Sequence, residues 1–336
     1  MRWLIVGDFD HRIYEDSITR ALRSVGIEAH GVAYSSAESP SVPQRLSRKH
    51  PNIIFSTHVA RRVTQALAEH QPTHVLVWRG EPIGPRQLTH LRRKAPNAHW
   101  VYYSNDFLFS REDGRRWRYV HKALPLYDTT LVYRQADKDL LARTMGLDSQ
   151  IWLPGYDPDI LGAEDPAPLA GRPYDLGFIG HHAPDGREDL IREIADHGFR
   201  VKVWGGRWPL IPNVDSGSSV YGRDYAAALR SSRLALVLYS ARNHDTITRR
   251  CFEIPYVGTP MLARRSSTML DLFREGLEAL YFESSGDAVE VMTGALRDQD
   301  RLERLRAAAR TRVEEIHGSM AARARELVTL VGERRS

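Results

Sequence analysis

Short apolar runs recur along the chain. Each ends in a turn rich in glycine or acids, and each is followed by a segment whose apolar positions repeat at helical spacing. Trp3–Val6 runs into Gly7-Asp8-Phe9-Asp10, Ile18–Val25 carries a helical period, and a second apolar run lies at Ile27–Val32. That order predicts a β-loop-α-β opening. Further strands are predicted at Asn52–Phe55, His74–Trp78, His99–Tyr103 and Thr129–Val132, with amphipathic helices at Ala60–Glu69 and Pro85–Lys94. Strict alternation of the two element types predicts a mainly parallel sheet.

A second cycle follows Leu153-Pro154-Gly155-Tyr156-Asp157-Pro158. Residues 157–173 are rich in Pro, Gly, Ala and acids and have no sustained period, so they read as an interdomain linker. Beyond them the pattern predicts strands at Asp175–Ile179, Arg200–Trp204, Leu234–Tyr239 and Met261–Ala263. Helices are predicted at Arg187–His197, Asp224–Ser231, from near Thr248, at Arg301–Ile316 and at Met320–Arg334, the last capped by Ser319. The fold class is therefore α/β, with two Rossmann-like doubly wound domains whose strand ends face a common cleft. The expected boundaries are 1–160 for the first domain, 161–318 for the second, and 319–336 for a terminal helix packing back on the first.

A length of 336 residues suits two such cores. Cys251 is the sole cysteine, which excludes an intrachain disulfide framework and a cysteine-based zinc cluster. The opening apolar run is too short for a signal-peptide core, and no apolar stretch of about 18 residues occurs, so cytoplasmic residence is expected. The formal charge of +5 would suit a phosphorylated ligand, an anionic membrane surface or nucleic acid. Yet only five of the 47 basic residues are lysine (Lys49, Lys94, Lys122, Lys138, Lys202), an imbalance that reads first as base-composition bias.

The segment from Asn243 to Leu262 concentrates candidate chemistry: Asn-His-Asp-Thr-Ile-Thr-Arg-Arg-Cys-Phe-Glu-Ile-Pro-Tyr-Val-Gly-Thr-Pro-Met-Leu. A helix starting near Thr248 would aim free backbone N–H groups and its positive dipole end at a diphosphate. Arg249 and Arg250 would add charge-assisted phosphate contacts in place of a metal ion. Glu253 lies one turn on, where its carboxylate would grip a ribose, and Gly258 would let the backbone pass close to the nucleotide. The bland account assigns Thr248 to an N-cap, Phe252 and Ile254 to the core, and Glu253 with Arg249 to an ordinary ion pair.

Thr248, Arg250, Phe252, Glu253, Ile254, Pro255, Gly258 and Pro260 together resemble the donor-site signature of GT-B glycosyltransferases, in particular the group containing the spore maturation protein CgeB. Leu176-Gly177-Phe178-Ile179-Gly180 resembles the strand and turn that open the nucleotide-binding domain of that family. Leu153–Asp157 is similar to the entry into its linker, and Leu272–Phe282 to the strand after its donor site. Asp245 and Glu253 keep the spacing of the E-x7-E motif of many retaining members, with aspartate at the first place. The resemblance implies that Asp245 lies near the donor sugar and that Glu253 accepts from the ribose hydroxyls. It implies a UDP-, GDP- or TDP-sugar as donor substrate with no permanently bound cofactor or metal, and a sugar, glycolipid or small-molecule acceptor.

Gly180-His181-His182 reads as a loop lining the donor site, with His181 bonded to phosphate; a third ligand for a metal is missing at usable spacing. Gly205-Gly206-Arg207-Trp208 ends another strand of the same domain and either approaches the nucleotide or is a simple turn. In the first domain Asp8, Asp10, Glu81 and Asp106 sit at strand ends, where an inverting enzyme would keep a general base. A retaining enzyme needs none, which leaves acceptor positioning to Asp106 and Glu81. Asp245, Arg250 and Asp106 are thus the candidate catalytic residues, and Arg111–Arg118 reads as a solvated mixed-charge loop. Two rival functions stand beside transfer: a nucleotide-sugar epimerase on the same fold, and a non-catalytic nucleotide- or nucleic-acid-binding protein. Scarce lysine and no recognisable nucleic-acid motif count against the last.

Overall fold

The computed structural model describes residues 1–35, 53–110, 116–164 and 166–332. They form two compact units: Met1–Leu153 with Arg242–His244 and Met320–Ser336, and Pro154–Ala241 with Asp245–Ser319.

The first unit is built on strands β1 (Arg2–Gly7), β2 (Glu28–Ala33), β3 (His74–Trp78), β4 (His99–Ser104), β5 (Thr129–Val132) and β6 (Gln150–Ile151). All pairs are parallel, in the order β2-β1-β3-β4-β5-β6. Alternation along β1 divides the core in two. Leu4 and Val6 face Phe55, Val59, Val63 and Leu67 of the Ile53–His70 helix, while Trp3 and Ile5 face the Glu15–Ser24 and Met320–Gly332 helices. The final helix is held by Met320, Ala324 and Leu327 in that second layer, and Trp152 Nε1 donates to the Arg323 carbonyl at 3.0 Å. Each fully buried aliphatic side chain of this kind is worth about 1.5–3 kcal/mol.

One strand expectation fails here. Asn52 lies outside the described residues, and Ile53–Phe55 begins an 18-residue helix, not a strand. The apolar positions continue at Val59, Val63 and Leu67, so the short run is the start of a helical stripe.

The second unit repeats the plan with β7 (Tyr174–Ile179), β8 (Val201–Trp204), β9 (Val214–Gly217), β10 (Ser232–Val237), β11 (Met261–Arg264) and β12 (Leu280–Phe282). These are again parallel, in the order β12-β11-β10-β7-β8-β9. Leu176, Phe178, Leu234 and Leu236 alternate onto one face with Leu190, Ile191 and Ile194 of the Arg187–Asp196 helix. Ser266, Ser284 and Asp298 cap three later helices through their side chains.

Much of the expected linker is ordered structure of this unit. Asp157 caps the Pro158–Leu161 helix by accepting from the Asp159 N–H, and Leu169 is fully buried in the core. Arg172 donates to the carbonyls of Ser232, Gly258 and Ala167; burial pushes this guanidinium down to about 10. Backbone carbonyls, not periodic apolar side chains, fix the segment, which is why no period marks it. Among the described residues no helix is long and apolar enough to cross a membrane.

Candidate functional site

At the carboxyl ends of β7 and β8 two glycine turns touch. The Gly180 N–H donates to the Trp204 carbonyl at 2.8 Å, and the His182 N–H to that of Gly206 at 3.1 Å. Gly205 has φ +151°, and a Cβ there would lie 2.1 Å from the Gly180 carbonyl oxygen, so no other residue lets the turns approach this closely. Trp208 Nε1 donates to the same carbonyl at 2.8 Å. The Gly206 N–H donates to His181 Nδ1 at 2.9 Å, so the neutral ring of this exposed histidine carries its proton on Nε2, ready to donate outward. His182 pairs instead with Glu188 at 3.0 Å, so the two histidines have separate partners. Arg207 is exposed, with its backbone in the left-handed region.

The Arg250–Val257 helix meets these turns. Arg250 Nη2 lies 3.5 Å from where a Gly180 Cβ would be, so its guanidinium reaches the β7 turn. Glu253 is buried and accepts from Arg249 Nε at 2.5 Å. The Arg249 guanidinium is therefore committed to a carboxylate and leaves Arg250 as the arginine at the turn. Asp245 is half-buried, with its N–H bonded to the Ser240 carbonyl at 3.1 Å.

The first turn of this helix closes on itself from Cys251 onward: the Cys251 N–H donates to the Thr248 carbonyl, and those of Phe252 and Glu253 to the Arg249 carbonyl. Thr248 itself is buried, its hydroxyl 3.8 Å from the Cys251 sulfur. Gly258, at φ +80°, ends the helix in the left-handed conformation, and the close approach it permits is to Pro166, whose Cγ would lie 2.3 Å from a Cβ there. Its role is in packing.

In the first unit, the ends of β1, β3 and β4 collect a charged cluster. Arg79, in the left-handed region at φ +64°, places Nη2 2.7 Å from Glu81, Nε 3.4 Å from Asp106 and Nη1 3.9 Å from Asp8. Arg116 lies 2.9 Å from Glu81 and 3.3 Å from Asp106. Glu15, at the start of the Glu15–Ser24 helix, accepts from the Asp8 N–H at 3.1 Å. Four carboxylates thus surround two guanidiniums. Burial pushes Glu15 up to about 7, and the neighbouring Asp8 adds to the rise. Burial likewise pushes Glu81 up to about 7; Arg79 opposes the shift, and Asp8 and Asp106 reinforce it. Arg79 is held above its ordinary value against burial, by Glu81, Asp106 and Asp8.

Asp8, Glu81 and Asp106 are therefore brought together, while Asp10 is exposed. Residues 111–115 of the basic segment lie outside the described residues. Arg116 is half-buried and joins the cluster, and Trp117 is buried, which corrects the reading of a solvated loop at these two positions, while Arg118 is exposed. Sequence reasoning also missed Glu15. Only the acid at the first turn of a helix after a strand-end glycine signalled Glu15. Among the described residues no group of three or more His, Cys, Asp or Glu is placed to hold a metal ion.

Comparison with known proteins agrees with this architecture. Residues 187–329, which include the Arg250–Val257 helix, match the model of the glycosyl transferase-like family. Sucrose-phosphate synthase from Thermosynechococcus elongatus superposes with a TM-score of 0.73 at 12% identity, covering 99% of each chain. Anabaena HepE in complex with UDP and glucose gives 0.71 at 13% identity, over 99% of this chain and 100% of that one. A glycosyltransferase from Rickettsia africae gives 0.70 at 10% identity, over 99% and 98% respectively. No curated protein matches the sequence. The chain has the α/β fold of the GT-B glycosyltransferases, with two parallel six-stranded sheets.

Proposed function

We propose that the protein is a glycosyltransferase that moves a sugar from a nucleoside diphosphate sugar to an acceptor hydroxyl. The observation that carries this reading is the Arg250 guanidinium at the Gly180 turn, with the buried Glu253 carboxylate one turn further along the same helix. These groups supply what a nucleotide-sugar demands: a cation for the diphosphate and an acceptor for ribose hydroxyls. His181 Nε2–H adds a neutral donor beside the same turn. The family match spans this segment, and HepE, of the same fold, has been solved with UDP and glucose.

In this reading Arg250 offsets charge developing on the departing diphosphate, so the reaction proceeds without a metal. Asp245, eight residues before Glu253, stands near the donor sugar as in retaining enzymes, and the donor phosphate takes the acceptor proton. Asp106, Asp8 and Arg79 of the first unit then orient the acceptor, a sugar, glycolipid or small molecule. A UDP-, GDP- or TDP-sugar serves as substrate, with no resident cofactor.

The test is calorimetric titration with UDP, GDP and TDP. One of them is expected to bind the wild type, and Glu253→Ala to abolish that binding. Unchanged affinity in the variant removes Glu253 from the ribose, and no binding by any of the three refutes the donor site.

A further inference from the structure

Three helices of the first unit cover one face of its sheet. Phe55 and Val59 of Ile53–His70, Leu88 and Leu91 of Pro85–Lys94, and Ala123 of Arg118–Ala123 all enter the same core layer. Each helix joins one parallel strand to the next in sequence, so each begins at the carboxyl ends of the strands. Their outward positions carry Arg61, Arg86, Arg93, Lys94, Arg118 and Lys122, all exposed. The three helices contain a single acid, Glu69, at the far end of the first. A general preference for arginine does not account for this imbalance, because the Gln299–Glu315 helix of the second unit sets four acids among its five arginines.

Apolar side chains stand in the same surface. Ile53 and Ile54 are 68% and 78% exposed at the start of their helix, and Tyr119 is 47% exposed at the start of Arg118–Ala123. The Tyr119 Cβ would lie 3.6 Å from a Cβ at Gly84, the residue before Pro85–Lys94, so the second and third helix starts adjoin. Single exposed apolar residues are ordinary. Two adjacent isoleucines in a basic field are not what a helix facing only water requires, since its outer side is normally polar.

The partner must therefore be anionic over a width of three helices and must also take up hydrocarbon. A nucleic acid meets the first demand and leaves Ile53 and Ile54 in water. A bilayer containing anionic lipid meets both: its headgroups attract the basic side chains, and isoleucine and tyrosine enter the boundary of the acyl region.

We propose that this helical face of the first unit docks on the surface of a bilayer rich in anionic lipid, with Ile53, Ile54 and Tyr119 inserted and the arginines on the headgroups. Docking uses none of the residues placed in the donor site or in the Arg79 cluster, so it stands or falls apart from sugar transfer.

The experiment is co-sedimentation of the full chain with vesicles of phosphatidylglycerol and phosphatidylcholine in equal parts, and with vesicles of phosphatidylcholine alone, at about 0.1 M salt. The wild type should partition at least about tenfold more strongly onto the anionic vesicles and be released by about 1 M salt. Each basic side chain near such a surface is worth about fivefold in partitioning, so the triple variant Arg61→Glu, Arg86→Glu, Arg118→Glu should lose about a hundredfold or more. The double variant Ile53→Ser, Ile54→Ser should lose about tenfold or more and keep its salt dependence. All five positions are exposed, so both variants should melt near the wild-type temperature. A wild type that does not sediment with anionic vesicles, or sediments equally with both kinds, overturns the proposal, as do variants that sediment like the wild type. Tighter binding to a short DNA duplex than to vesicles, lost in the arginine variant and kept in the isoleucine variant, also overturns it and marks a nucleic-acid face.

Discussion

Replacing Glu15 by glutamine removes a buried titration from the strand ends of the first unit, and the consequence for stability follows from its position. The carboxyl is 3% exposed, is bonded to the Asp8 N–H and sits beside the Asp8 charge. Its ordinary value of 4.5 applies in the unfolded chain, and about 7 in the folded one. Below pH 4.5 both states hold the proton, so the group contributes no pH dependence. Between 4.5 and 7 the folded state holds a proton that the unfolded state has lost, and stability falls as pH rises. Each pH unit costs about 1.4 kcal/mol, so the full penalty above pH 7 is about 3 kcal/mol. Glutamine keeps the accepting oxygen and cannot ionise. Urea unfolding from pH 4.5 to 8 should therefore show the two proteins equally stable at the acid end and the variant ahead by about 3 kcal/mol at pH 8. Parallel curves, or a variant less stable at pH 8, would refute the assignment of Glu15 as a buried carboxyl with a raised titration.

The turns of the second unit make sharper mutational targets. Gly205→Ala places a Cβ 2.1 Å from the Gly180 carbonyl at a φ that side chains avoid. It should destabilise by at least about 2 kcal/mol, read as a lowered urea midpoint. Arg250→Ala should weaken nucleoside diphosphate binding about ten- to a hundredfold while leaving the melting temperature nearly unchanged, since the residue is only half-buried. The nucleoside lacking phosphates should bind both proteins alike.

Sequence periodicity located most of the scaffold because the residues concerned answer to local rules. The runs at His74–Trp78 and Thr129–Val132 are buried on both faces of a parallel sheet, so their apolar character is continuous and their limits coincide with the observed strands. Ile53–Phe55 misled because three apolar residues do not distinguish a strand from the first turn of a helix. Residues 157–173 misled because Arg172 and the Asp157 cap act through backbone carbonyls and amides that leave no periodic trace. The joint pattern of Arg250, Glu253 and Gly258 marked a segment that folds as one helix and its left-handed cap. What each residue does there was not legible, since Gly258 faces Pro166 and Arg249 is drawn to Glu253. Glu15 reaches its cluster from the start of a separate helix by accepting from the Asp8 N–H, and a side-chain destination of that kind depends on tertiary packing.

The central claim is that the second unit holds a nucleoside diphosphate between the Gly180 turn and the Arg250–Val257 helix. A crystal structure grown with the tightest-binding diphosphate addresses it most directly. The account predicts phosphate oxygens bonded to Arg250 beside Gly180, and ribose hydroxyls within hydrogen-bond distance of Glu253. A nucleotide seated instead among Arg79, Glu81 and Arg116, or one whose ribose lies away from Glu253, would contradict it.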